Sequence, residues 1–146
     1  MPPTDASDSA QATPTASDAQ DGDVRAAIDT FLADPANGDP QKIMRFANES
    51  PDVLVVFRQS ILEAEGAPGD LRALMLAAFA AGNVRSQLEA GKKEDMPVAG
   101  VRAMVAVYKK LQANKPDLRV DLYETYAAKE SDGTLEAFVT ERAKKE

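Results

Sequence analysis

Short clusters of turn-forming residues, DPANGDP, SP, GAPGD, GKKEDMP, NKPD and SDG, cut the chain after Val24 into pieces of helical length. Gly, Pro, Asn and Asp at these points supply positive φ, fixed φ or side-chain caps, so regular structure must stop and restart at each. Between the breaks the apolar residues recur at three-to-four spacing. Val24, Ile28, Phe31 and Leu32 share one helical face, with Asp23 available as a cap. Asp39 and Pro40 form a cap and first-turn pair for a short helix carrying Ile43, Met44 and Ala47.

Ser50 and Pro51 repeat that grammar. The segment they open contains VLVVF, whose β-branched content suits a strand, but Phe57, Ile61 and Leu62 restore the helical period, so a helix to about Glu65 is expected. After Pro97 a stripe of Val98, Val101, Met104, Val105, Tyr108 and Leu111 leaves Arg102, Lys109 and Lys110 outside it. Leu118, Leu122 and Tyr126 mark a further helix, and Leu135, Phe138 and Val139 a last short one. The predicted fold is all-α, an irregular bundle of six or seven helices forming a single domain over residues 23–146. Helix lengths vary too much for a regular solenoid of repeats.

Residues 1–22 contain no Val, Ile, Leu or aromatic side chain and cannot bury enough apolar surface to offset the entropy of ordering them. They are expected to be a disordered linker. Asp5, Asp8, Asp18, Asp21 and Asp23 hold most of the net charge of −7, which leaves the domain close to neutral. A near-neutral domain has no basic footprint for phosphate-dominated nucleic-acid binding, and the cluster around Lys92, Lys93, Lys109 and Lys110 reads as a solvated face. No apolar run approaches the roughly 18 residues that span a bilayer. The leader resembles, in composition, the spacer of exported bacterial lipoproteins after loss of the signal and lipid-bearing cysteine. That resemblance implies an exported or periplasmic domain tethered to a membrane through an upstream segment; with Met1 as the native start, the same stretch is a cytoplasmic tail.

Cysteine and histidine are both absent. Their absence removes disulfides, thiolate nucleophiles, Ser-His-Asp and Cys-His machinery, and Cys- or His-based metal sites. No calcium loop or phosphate-binding loop has the required spacing, so no catalytic residue, metal ligand or cofactor is assigned. Glu63, Glu65, Asp121 and Glu124 offer acid pairs of the glycosidase kind, but any chain with 24 acidic residues offers such pairs and spacing promotes none of them. Tyr108 and Tyr126 fall on apolar stripes with hydroxyls expected at the surface; Tyr123 is less buried by pattern and suits an interface.

The segment AAFAAGNVRSQLEAG holds the sharpest oddity. On a helical wheel advancing about 100° per residue, Gly82 lies on the apolar face with Leu71, Met75 and Ala78, Asn83 points away with Arg72, and Arg85 returns inside the apolar arc. One reading ends the helix at Gly82 and Asn83. The favoured reading runs it to Ala90, with Gly91 as the stop and Gly82 allowing a neighbouring helix to approach closely. Arg85 then reaches the core rim and requires a carboxylate or carbonyl partner. Asn83, Arg85 and Gln87 are the candidate recognition residues for an anionic group on a ligand or protein partner, set against an internal ion pair. The expected function is a noncatalytic helical protein-interaction module. Two alternatives remain: a small-molecule or lipid carrier with an apolar cavity, and a carboxylate-dependent hydrolase.

Overall fold

The computed structural model describes residues 16–144, with side chains from residue 22 onward. Among the described residues the chain is all-helical, with seven α-helices and no strand. These are α1 (Ala16–Ala33), α2 (Pro40–Glu49), α3 (Gln59–Leu62), α4 (Gly69–Ala90), α5 (Pro97–Asn114), α6 (Asp121–Asp132) and α7 (Leu135–Ala143), plus a 3₁₀ turn at Pro35–Asn37. The hairpin of α4 and α5 forms the centre. α1 and α2 pack against α4, while α6 and α7 cover α5, and α3 reaches across to α7.

The expected linker is shorter at its C-terminal end than the composition implies. Residues 1–15 of it lie outside the described residues, but 16–22 continue α1, so Asp23 is not a cap and sits inside that helix. Once Val24, Ile28 and Phe31 anchor the helix in the core, each residue added upstream gains one hydrogen bond without a new nucleation cost. Asp23 instead meets Lys42 of α2 at 2.5 Å. The Asp39–Pro40 start holds as read, with Lys42 N–H donating to Asp39 Oδ1 at 3.1 Å.

α4 is continuous through Gly82 and Asn83 and stops at Gly91, whose φ of +67° is the left-handed conformation that glycine adopts without strain. Gly82 has the packing reason its position called for. A Cβ there would lie 2.4 Å from Ala99 O and 2.6 Å from Ala103 Cβ of α5. Gly100 answers it from the opposite helix, where a Cβ would lie 2.6 Å from Phe79 Cδ1. Each glycine thus admits part of the other helix, and the two backbones approach more closely than side chains normally permit.

The main departure from expectation is the stretch after Pro51. Only Gln59–Leu62 is helical; Ser50 closes α2 in extended conformation rather than opening a helix, and its Oγ accepts from Asp52 N–H at 3.1 Å. Residues 53–57 run without regular secondary structure into Arg58, which is extended (φ −94°, ψ 130°). β-branched residues disfavour helix modestly, and here side chains from elsewhere supply the backbone partners that a helix would have provided.

Candidate functional site

Two amides one turn apart on α4 organise the region around residues 53–57. Asn83 and Gln87 are 0% and 1% exposed, and Gln87 Nε2 donates to Asn83 Oδ1 at 2.6 Å. Buried amides of this kind are tolerable only when their hydrogen-bonding capacity is spent. Gln87 spends all of it. Its Nε2 also donates to Leu54 O at 2.7 Å, and its Oε1 accepts from Leu54 N–H at 2.9 Å and Glu94 N–H at 3.1 Å. The side chain reproduces, toward Leu54, the pair of hydrogen bonds that an antiparallel neighbouring strand would make.

Asn83 and Asp95 extend the same edge. Asn83 Oδ1 accepts from Met96 N–H at 2.9 Å, and Asn83 Nδ2 donates to Asp95 Oδ1 at 2.8 Å. Asp95 Oδ1 in turn accepts from Val56 N–H at 3.1 Å, while Oδ2 accepts from Arg58 Nη1 at 2.6 Å. Leu54 and Val56 therefore turn their N–H groups inward to side chains of α4 and of the α4–α5 connection. Among the described residues the backbone groups of Val53, Val55 and Phe57 form no hydrogen bond; Val53 is buried in the core, while Val55 and Phe57 are half-buried. Beside that segment lies a groove of about 580 Å³ lined by Phe57, Arg58, Leu62, Arg72 and Leu76. Leu54, on the solvent face, is the exposed large hydrophobic residue of the described chain, at 47%.

Compared with protein-family models, with curated proteins and with solved structures, the chain matches none. Its candidate site rests on geometry.

The expected recognition set divides. Asn83 points inward, correcting the outward direction read from the wheel, and joins Gln87 in the network; ligand recognition by either would require their internal bonds to be given up. Arg85 stands apart, facing α1, where Nη1 lies 3.7 Å from Asp29 Oδ1 with side chains 40% and 70% exposed. The carboxylate partner is present, yet an exposed pair of this type contributes only about 0–1 kcal/mol. Asp95, Arg58 and Leu54 complete the site and carried no signal in sequence beyond the β-branched run itself.

Other candidates fall as follows. Glu63, Glu65 and Asp121 line one open cavity of about 750 Å³ with Arg142 and Ser60. Glu124 lies elsewhere, accepting from Tyr108 Oη at 2.6 Å and Gln112 Nε2 at 2.7 Å; the Tyr108 bond holds its carboxyl below the ordinary value against the opposing effect of burial. Tyr108 and Tyr126 are buried at their hydroxyls too, not surface-tipped: Tyr108 Oη accepts from Val120 N–H at 3.0 Å, and Tyr126 Oη donates to Ile61 O at 2.7 Å. Tyr123, expected near an interface, is buried as well, and its hydroxyl has no partner among the described residues. Burial pushes that hydroxyl up to about 12. An apolar surface groove of about 550 Å³ between α2 and α4, lined by Met44, Ala73, Leu74 and Ala77, is the space nearest to a carrier site; Arg85 does not line it. No described helix is long and apolar enough to cross a membrane.

Proposed function

We propose that the domain is a noncatalytic interaction module that takes up an extended segment of polypeptide by strand addition along residues 53–57. The observation that carries this reading is the half-buried stretch at Val55 and Phe57, whose backbone donors and acceptors have no partner among the described residues, beside the exposed Leu54. An unpaired edge of β-branched residues is a template for another chain, and main-chain hydrogen bonds supply affinity while side-chain pockets supply selectivity. The inner edge is fixed by Gln87 and Asp95, so the segment needs little ordering on binding.

Selection of a random linear peptide library on the full chain, followed by NMR amide spectra with the winning peptide, tests this. Expected are peptides rich in β-branched residues, shifts at the Val55 and Phe57 amides, and loss of binding in Val55→Pro. That substitution removes the central outward donor and leaves the bonds of Leu54 and Val56 in place. Peptides that bind Val55→Pro as well as the parent chain would refute strand addition.

A further inference from the structure

We propose that the apolar groove between α2 and α4, separate from residues 53–57, binds a free single-chain carboxylate of the fatty-acid type. Arg45 holds the head group, and the alkyl chain lies on Met44, Ala73, Leu74 and Ala77. The groove measures about 550 Å³, and small-molecule clefts run from about 300 to 1,000 Å³. Ala73 and Ala77 stand one turn apart on α4, and their short side chains leave a hollow bordered by Leu74 and, from α2, Met44. Ala77 is buried, while Met44 and Leu74 are half-buried and packed against the core, so the floor is anchored below and open to solvent above.

The floor selects an alkyl chain over an extended peptide. None of its four side chains donates a hydrogen bond, and only the Met44 thioether accepts, weakly. A peptide backbone laid here would lose its bonds to water without replacement, whereas an alkyl chain has none to lose. The flexible thioether also adapts to chains of different length.

The two walls differ in charge. Arg45, on α2, is exposed, and none of the ion pairs among the described residues includes it. Lys42, one turn earlier, is engaged by Asp23. Neither Glu49, one turn on, nor Asp70, on the α4 wall, comes within ion-pair distance of Arg45. The guanidinium fork is therefore open to a carboxylate, which it can meet with two parallel hydrogen bonds. Asp70 disfavours an anion on its own side of the groove. The complementary ligand is anionic at one end and apolar along the rest.

The test titrates the full chain with octanoate, decanoate and dodecanoate below their micelle concentrations, followed by methyl NMR and calorimetry. Expected are shifts at the methyls of Met44, Ala73, Leu74 and Ala77, and an affinity that rises about two- to fourfold with each added methylene, the upper figure marking full burial. Arg45→Gln, at an exposed helix position that tolerates substitution, weakens decanoate on the order of tenfold and leaves decanol unchanged, because only a charge-assisted bond is lost. Ala73→Leu, also exposed, fills the hollow and weakens both ligands. Dodecanoate that fails to bind the parent chain at about 1 mM, or decanoate that binds Arg45→Gln as tightly as the parent, overturns the proposal. Flotation with phosphatidylglycerol vesicles by a chain that ignores free dodecanoate overturns it too, and assigns the groove to a membrane surface.

Discussion

Gln87→Met replaces the organising amide with an apolar side chain of similar length, so the change isolates hydrogen bonding from volume. Four bonds disappear: two to Leu54, one from Glu94 N–H and one to Asn83. Leu54 and Glu94 are exposed enough for water to reach their released backbone groups, so each bond costs about 0.5–1.5 kcal/mol rather than a full burial penalty. Asn83 Oδ1 retains Met96 N–H. Summed, the loss is roughly 2–6 kcal/mol, offset by about 1 kcal/mol from burying the thioether in place of an amide. A net loss of about 1–5 kcal/mol follows, or a drop of roughly 3–15 °C in Tm for a domain of this size. Urea unfolding followed by circular dichroism gives the global value. Amide exchange at Leu54 and Val56 gives the local one, and both amides should exchange much faster in the variant. A stability equal to or above that of the parent chain, with Leu54 still protected, would refute the idea that this amide holds the segment in place.

Gly82→Ala should destabilise despite the roughly 1 kcal/mol that alanine gains in a helix, because the atoms met at 2.4 and 2.6 Å belong to a carbonyl and a Cβ that cannot rotate away. The net loss expected from overpacking is on the order of 1–3 kcal/mol, measured by urea unfolding; a neutral result would mean that α4 and α5 separate freely. Tyr123→Phe should leave stability unchanged or raise it by up to about 2 kcal/mol at neutral pH, since it removes a buried hydroxyl without a partner. The same group sets an alkaline dependence: its pKa is raised to about 12 in the folded protein against about 10 unfolded. Folding therefore has no pH dependence from this group below pH 10 and loses stability as pH rises from there through 12, because the unfolded chain ionises first. Unfolding measured across that window should show a shallower decline in Tyr123→Phe than in the parent chain.

Helix periodicity and turn chemistry made most of the bundle readable. The stop at Gly91, the start at Asp39–Pro40, the stripe of α5 and the packing role of Gly82 all follow from local rules, because each depends on neighbours within a turn or on the volume of one side chain. Residues 53–57 were not readable in that way. VLVVF fits helix or strand by pattern, and what decides between them is Gln87 and Asp95, far along the chain. The wheel placed Asn83 outward for a related reason: it weighs polarity against a single apolar arc, whereas this site buries polarity by pairing it. Tyr123 was misplaced because its stripe faces Tyr108 across two helices, with ring centroids 5.4 Å apart.

The way the segment is held has a genetic consequence. In an ordinary sheet the bonds that fix a strand belong to the backbone, and no codon change deletes them except one that introduces proline. Here they belong to Gln87 and Asp95, which Asn83 holds in place. A single substitution at any of the three alters how firmly the edge is presented while the helices on either side keep their own cores. The exposed edge is accordingly adjustable in small steps, independently of the bundle that carries it.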